Sequence, residues 1–503
     1  MAITGFKRNF APLKILTDAM IDEVAEATFR ILEKTGVVFE DEAALTVLAD
    51  AGCKVDKENQ RVRMPRGIVK EQLALVPPTV EIRARDPENN MIIGQDDVIY
   101  FINSGGMTSV DLETWESKEP TRREFYDFIK VLDALPNVHG LSAFPWYGFA
   151  KVPQAMRLIE SCAAKVRCSS KIQGEGGVMD NDQWIMALTE VVGQDLMAFV
   201  NPVSPLTYDK ESISRLNFFC DKNALFDITP GPLAGASGPA TLAGTLAQCN
   251  AEIAAGMLLA QLLRPGVRVY SGHMLMTQDM RSGGPAFSSI GNHLTAAAFA
   301  QFWRKQHIPV VSATPAWCSS KTIDYQSGYE MALAATHNAM AGFHSIIYQG
   351  GLSQQMTAHP VKAIIDDDAA GMIGRFFAGI QVDEETLAVE VIDKVGPVPG
   401  TFLDQAHTRK WWRSAQYLTQ VADHTPLDTW LKGDQKTALD HAKERMEQIL
   451  SSQKPTPLEP GQEQAVEDIL KEARAHYRKK GLISDEEWKD YQQDLNSPDY
   501  PFG

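Results

Sequence analysis

The chain has 503 residues, 44% of them hydrophobic and 22% charged, ordinary values for a folded protein with a large core. Its 48 basic and 64 acidic residues leave a formal net charge of −16, which argues against non-specific binding to polyanions such as nucleic acid. At this length the simplest architecture is one large α/β core with additions at both ends.

The start, Met1 to Pro12, carries Lys7 and Arg8 but no apolar run before a small-residue cleavage site, so it does not read as a secretory signal. Residues 1–97 read as a mostly helical cap, with helices over Asp18 to Thr35 and Asp41 to Ala51 and a short strand near Val80 to Arg85.

From residue 98 to 380 a repeating unit takes over: a short β-rich apolar run, a Gly/Pro/Ser-rich turn, then a segment of helical period. The predicted strands are Val98 to Asn103, Val138 to Phe144, Arg167 to Ile172, Met197 to Asn201, Phe226 to Thr229, Val267 to Ser271, Pro309 to Ala313 and Ser345 to Gln349. Helices are predicted over Thr121 to Leu135, Pro153 to Ala164, Asn181 to Val192, Lys210 to Asp221, Pro239 to Leu263, Pro285 to Gln306, Tyr325 to Ala341 and Val361 to Ala378. Continuous apolar strands between helices indicate a parallel sheet covered on both faces, and eight such units are what a closed (βα)8 TIM barrel needs. An open doubly wound sheet would show the same alternation, but no GxGxxG follows the first strand. The longest apolar stretch, Pro239 to Leu263, contains Gln248, Asn250, Glu252 and Gln261, which are costly in lipid, so it reads as a buried helix and not a membrane span. Residues 381–503 form a helical C-terminal extension, whose charged tail from about Lys454 is expected to pack on a neighbour or another subunit.

The six cysteines are scattered, and neither paired CxxC nor HExxH spacing appears. Reduced thiols in a cytoplasm, and no sequence-local metal site, are the expectations. In a TIM barrel the chemistry sits just beyond the C-terminal ends of the strands. Here those positions include Ser104-Gly105-Gly106, Phe144-Pro145-Trp146, Gln173-Gly174-Glu175, Asn201 to Pro205, Gly231 to Gly238, Ser271-Gly272-His273, Thr314 to Lys321 and Tyr348 to Gly351. Such small residues either keep a rim open to a broad, flat object or simply make tight turns. The aromatics Phe144, Trp146, Tyr208, Trp317 and Tyr348 can hold an alkylammonium group or merely pack. The polar candidates are Glu175, His273, Asp279, Arg281, Lys321, Asp324, Gln326 and Gln349. Arg281 can pair with a substrate carboxylate or with Asp279. Asp324 reads as a helix cap, Asp366-Asp367-Asp368 as a solvated early helical turn, and Cys318 has no evident charge partner.

Long stretches in order carry a family resemblance: LTDAMIDEVAEATFRILEKTGVVFEDE, VNPVSPLTYD, GASGPATLAGTLAQCNAEIAAGMLLAQLLRPG, TQDMRSGGPAF, KTIDYQSGYE, VDEETLAVEVIDKVGPVPGTFL and AHTRKWW. Over nearly its whole length the chain resembles the trimethylamine methyltransferase-like family, its non-pyrrolysine branch included. The resemblance implies a barrel that takes a methyl group from a methylamine and delivers it to cob(I)alamin on a separate corrinoid protein, with homo-oligomers expected. Founding members carry pyrrolysine, and Lys321 lies in the region to compare first. This chain has standard residues only, which points to quaternary amines such as glycine betaine, proline betaine or carnitine. After AHTRKWWR the chain departs from the usual family pattern, reading SAQYLTQVADHTPLD.

A quaternary ammonium leaves as a neutral tertiary amine, so the reaction needs no proton and no Lewis acid. Catalysis by positioning can supply about 7 to 11 kcal/mol. The candidate substrate-binding residues are therefore Trp146, His273, Asp279, Arg281, Lys321, Tyr348 and Gln349, with no catalytic residue singled out. Two alternatives remain: a barrel lyase or hydrolase with His273 as base oriented by Asp279, and a non-catalytic betaine-binding protein.

Overall fold

The computed structural model describes residues 5–94, 98–142, 144, 147–174, 176–178, 180–312, 317–498 and 500. Eight parallel strands follow one another around a closed ring: β1 (Val98–Ile102), β2 (Gly140–Leu141), β3 (Ile172–Gly174), β4 (Leu196–Val200), β5 (Phe226–Ile228), β6 (Val269–His273), β7 (Val310–Ser312) and β8 (Ser345–Ile347). Pairing of Ser345, Ile346 and Ile347 with Tyr100, Phe101 and Ile102 closes the ring. The outer layer consists of α1 (Arg122–Ala134), α2 (Gln154–Cys168), α3 (Asp182–Val191), α4 (Lys210–Lys222), α5 (Leu242–Leu263), α6 (Ile290–Lys305), α7 (Tyr325–Ala341) and α8 (Pro360–Phe377). The chain is thus the (βα)8 barrel that the alternation predicts. One boundary moved: Arg167 and Cys168, expected to open the third strand, complete α2, and the strand starts at Ile172.

Because strand side chains alternate, each strand sorts its residues onto two sides of the wall. Tyr100, Ile102, Ile172, Met197, Leu225, Tyr270 and Val311 fill the barrel interior. Ile99, Phe101, Ala198, Val200, Phe226, Ile228, Val269, Val310 and Ile346 join the apolar layer under the helices. This parity decides which residues reach the mouth.

The N-terminal segment closes the opposite end. A hairpin, Val80–Ile82 with Met91–Ile93, buries Val80, Ile82, Met91 and Ile93 in the same interior cluster as Tyr100 and Tyr270. Helices Asp18–Arg30 and Glu42–Asp50 form where expected, but they accompany a small sheet of Val37–Phe39, Lys54–Asp56 and Arg61–Arg63. Thr207–Tyr208, beyond β4, adds to that sheet, and Tyr208 stacks on Phe39 at 5.0 Å.

The C-terminal tail corrects an expectation, since it packs on its own barrel. Helix Pro460–Lys479 buries Val466, Leu470, Ala473 and Tyr477, one stripe of helical period, and contacts α2 and α3. Arg474 pairs with the buried Glu160 of α2 at 2.7 Å, Arg122 of α1 pairs with Asp494 at 2.5 Å, and Arg167 pairs with Glu463 at 2.5 Å. Burial alone would raise the Glu160 carboxyl, but the guanidiniums of Arg474 and Arg122 hold it below its ordinary value.

Asp366, Asp367 and Asp368 are a second correction, for all three are buried. Asp366 pairs with Lys362 and accepts from the Gly350 amide at 2.9 Å; Asp367 accepts from the Asn137 amide at 3.0 Å. Asp368 accepts from the Gln420 amide at 2.7 Å and from the Tyr417 hydroxyl at 3.1 Å. One helical turn therefore staples α8 to three different segments. Helix α5 is long and apolar enough to cross a membrane but is 89% buried within the fold. Its Glu252 accepts from the Ser204 hydroxyl at 2.7 Å and the Leu206 amide at 2.8 Å, fixing the loop after β4.

Candidate active site

At the C-terminal ends of the strands the barrel opens into a cavity of about 380 Å³. The strands supply its floor, with Phe199 of β4, Asp227 of β5 and Ile347 of β8 pointing inward. Residues just beyond the strands supply its walls: Gly106, Met107, Ser142, Asn201, Thr229, Met274 and Trp317, with Gln354, Gln355 and Met356 over β8. Larger hollows lie elsewhere, one of about 610 Å³ between helix Asp18–Arg30 and the starts of α5 and α6. That hollow lies in the helix layer, away from the end of the barrel where strand-borne side chains converge.

Asp227 is the acid of the cavity. Its neighbours Phe226 and Ile228 point outward into the apolar layer, so parity turns Asp227 inward. Thr229 donates its hydroxyl to the Asp227 carboxylate, and Asn201 Nδ2 holds the Thr229 carbonyl at 2.6 Å. The facing position on β6 is Gly272, where a Cβ would sit 1.6 Å from Thr229 Oγ1 and 3.0 Å from Asp227 Oδ1, so only glycine leaves room for this pair. Burial pushes the Asp227 carboxyl up to about 7, offset in part by the Thr229 hydrogen bond and the charge of Arg215. Although set deep in the wall, part of its surface opens into the cavity.

Phe199 is placed by what lies around it. A Cβ on Gly176 would come within 1.9 Å of its ring, and the Arg215 guanidinium lies 5.3 Å from the ring centroid. Arg215 is in turn tied to Asp182 at 2.8 and 3.2 Å, and Asp182 accepts from the Gly177 amide at 3.1 Å. Across the cavity, Trp317 packs against Phe287 at 5.3 Å, and its indole NH is buried without an acceptor among the described residues.

The rim over β8 is strained. Ser353, Gln354 and Gln355 have φ of 50°, 62° and 66°, three consecutive side-chain-bearing residues in the left-handed region. The turn is held because the Ser353 amide donates to the Ser320 carbonyl at 2.8 Å, the Gln354 amide to the Cys318 carbonyl at 2.7 Å, and Gln354 Nε2 to the Pro285 carbonyl at 3.1 Å.

Of the residues expected to bind substrate, none of the described ones lines this cavity. Trp146, like Glu175, falls outside the described residues. His273 follows Gly272 and so points outward, buried against Phe299 at 5.0 Å and Phe343 at 6.0 Å. That burial pushes its imidazole down to about 3, and among the described residues neither ring nitrogen bonds to Asp279 or to any other group. Asp279 and Arg281 stand on the loop after β6, closed on each other by two bonds of 2.9 and 3.0 Å; Arg281 holds the Asp279 carboxyl down to about 2. The Arg281 side chain is 91% exposed and does not line the cavity. Lys321 is exposed and donates to the Ser319 carbonyl at 2.6 Å. Tyr348 packs on Phe101 at 5.5 Å in the outer layer, and Gln349 Nε2 reaches the Asn137 carbonyl at 2.9 Å. Asp227, Phe199 and the turn at 354–356 escaped the sequence reading. The signal available for Asp227 was an acid inside an otherwise apolar run, LFDIT.

A family model described as trimethylamine methyltransferase (MTTB) matches residues 1–477. A glycine betaine methyltransferase of Desulfitobacterium hafniense (strain Y51) is 33% identical over 460 residues, covering 89% of this chain and 94% of that one. The trimethylamine methyltransferase MttB of Methanosarcina thermophila is 26% identical over 492 residues, covering 94% of this chain and 99% of its own. Among solved structures, a hydroxylamine complex of MtmB superposes with a TM-score of 0.50 at 11% identity, covering 86% of this chain and 88% of that chain. This last likeness concerns the fold alone.

Proposed function

This chain belongs to the trimethylamine methyltransferase family, and from that premise we propose that it takes a methyl group from a small quaternary amine and passes it to the reduced corrinoid of a partner protein. The observation that carries the reading is the mouth cavity, where, among the described residues, Trp317, Phe199, three methionines and the carboxylate of Asp227 surround a space of about 380 Å³. Aromatic faces and thioethers suit the methyl groups of a tetraalkylammonium ion, and Asp227 suits its charge. The cavity has room for a small amine and not for a corrin ring, so the residues present fit a carrier that docks over the mouth. There the reduced corrinoid would supply the nucleophile that accepts the methyl group.

What this chain contributes is position and charge. Asp227 and the aromatic walls draw the ammonium out of water and toward the floor, leaving one methyl aimed at the rim. The leaving group departs as a neutral tertiary amine, so no proton from Asp227 is required. Gly106 and the exposed Met356 keep the rim low on one side.

The test incubates the protein with a panel of quaternary amines and chemically reduced cobalamin, free or on a corrinoid protein. Tertiary amine release by NMR, with loss of the reduced cobalamin absorbance, is the expected result. A panel that binds yet releases no tertiary amine with either acceptor would overturn the reading in favour of a binding protein.

A further inference from the structure

The chemistry of methyl transfer fixes how an occupant must lie. The departing methyl faces the rim, so the nitrogen and its other substituents lie toward the floor, among Phe199, Asp227 and Ile347. A carboxylate on one of those substituents would be carried inward with them, and it would need a cation there.

None is provided. Among the described residues no lysine or arginine lines the cavity, and the residues outside the described set contain neither type. Arg215, the cation whose charge bears on Asp227, is paired with Asp182 and stacked on Phe199. Arg281 is turned to solvent and closed on Asp279. Among the described residues, the charged side chain that lines the cavity is the carboxylate of Asp227. The indole NH of Trp317, without an acceptor among the described residues, and the neutral donors of Ser142, Asn201 and Gln355 can serve oxygens, but neutral donors do not replace a guanidinium opposite a carboxylate.

We propose that this cavity selects quaternary ammonium compounds without a carboxylate, such as choline or simple tetraalkylammonium ions, over betaines, and that Asp227 is the residue that discriminates. The inference rests on the methyl-transfer reading and narrows its substrate class. A hydroxyl such as that of choline fits the same surroundings, since it can donate to Asp227 and accept from Trp317. A zwitterion would place like charges together inside a cavity of about 380 Å³.

The deciding experiment is calorimetric titration of the full-length protein at pH 8 with choline, tetramethylammonium, glycine betaine and 3,3-dimethylbutan-1-ol, the uncharged isostere of choline. Choline and tetramethylammonium are expected to bind at least tenfold more tightly than glycine betaine, a gap of about 1.4 kcal/mol. The uncharged isostere is expected to bind at least tenfold more weakly than choline. Asp227→Asn is expected to narrow the choline to betaine ratio at least tenfold. Glycine betaine binding as tightly as choline in the wild-type protein would overturn the proposal, with or without the variant. If betaine is also demethylated, the methyl-transfer reading survives that failure. If no ammonium compound binds or is demethylated, both fall.

Discussion

Asp227 and the run Asp366 to Asp368 sit on opposite sides of the barrel wall, and burial acts on both. Each is set where an ionised carboxylate is costly: Asp227 is pushed up to about 7, and Asp366 and Asp367 are likewise raised by burial. Their surroundings differ in how completely the oxygens are used. Outside the wall every acid meets its partners within the fold: Lys362 and the Gly350 amide for Asp366, Asn137 for Asp367, Tyr417 and two amides for Asp368. Inside the wall Asp227 accepts from Thr229, and its remaining surface faces a cavity. A buried acid whose bonds are filled holds the fold together, whereas one left open to a cavity is available to a ligand.

Breaking the outer cluster should give the largest change, and in stability alone. Lys362→Met leaves Asp366 without its cation, and the expected cost is about 3 kcal/mol of folding free energy, read by urea unfolding. Demethylation by the folded fraction should stay within about twofold of wild type, since α8 does not line the mouth. A variant that kept its stability and lost turnover would erase the distinction between the two sides.

The inner acid should behave the opposite way. Asp227→Asn is expected to lower kcat/KM for a quaternary amine about 30-fold, roughly 2 kcal/mol, by removing the charge that faces the cation. Its stability effect follows from the direction of the shift. The folded carboxyl titrates near 7, above an unfolded value of about 4, so its stabilising contribution is complete below about pH 4 and is lost as pH rises through 7. The asparagine variant should therefore match wild type at pH 4 and exceed it in Tm at pH 8. Choline affinity runs the other way, rising up to about tenfold between pH 6 and 8 in wild type, because the ionised form is the one that attracts it, and staying flat in the variant. Parallel pH profiles for the two proteins would show that Asp227 does not face the ligand.

The same wall explains what the sequence could reveal. Eight apolar runs separated by helical periods specify a closed parallel barrel, because both faces of each strand must be covered. That double burial also hides which side chain faces in. In VYSGH the glycine points to the mouth and the histidine to the helices, and no polar alternation marks the difference. Arg281 was legible as a cation near a strand end, but its capture by Asp279 depends on the loop's geometry. Trp317 and Asn201 stand at strand ends that the sequence marks, and they line the cavity; the acid between Phe226 and Ile228 went unmarked because one charge in a strand reads as noise. The tail was misplaced for a related reason. Its apolar stripe is plain in the sequence, yet nothing there says that Glu160, on a helix about 300 residues earlier, waits for Arg474.

The left-handed turn at the rim offers the smallest effect and the finest distinction. Gln355 lies at φ 66°, a conformation that costs a side-chain-bearing residue about 1 kcal/mol and costs glycine little. Gln355→Gly should therefore stabilise the protein by up to about 1 kcal/mol, less what the glycine adds to the freedom of the unfolded chain. Because Gln355 lines the cavity, the same change should lower kcat a few-fold by loosening the wall that orients the substrate. Measured together, Tm and kcat should move in opposite directions. On the outer side, at Lys362, stability should fall while kcat holds. If Gln355→Gly instead lowers Tm and leaves kcat unchanged, the strained turn belongs with the structural staples of α8 and not with the site.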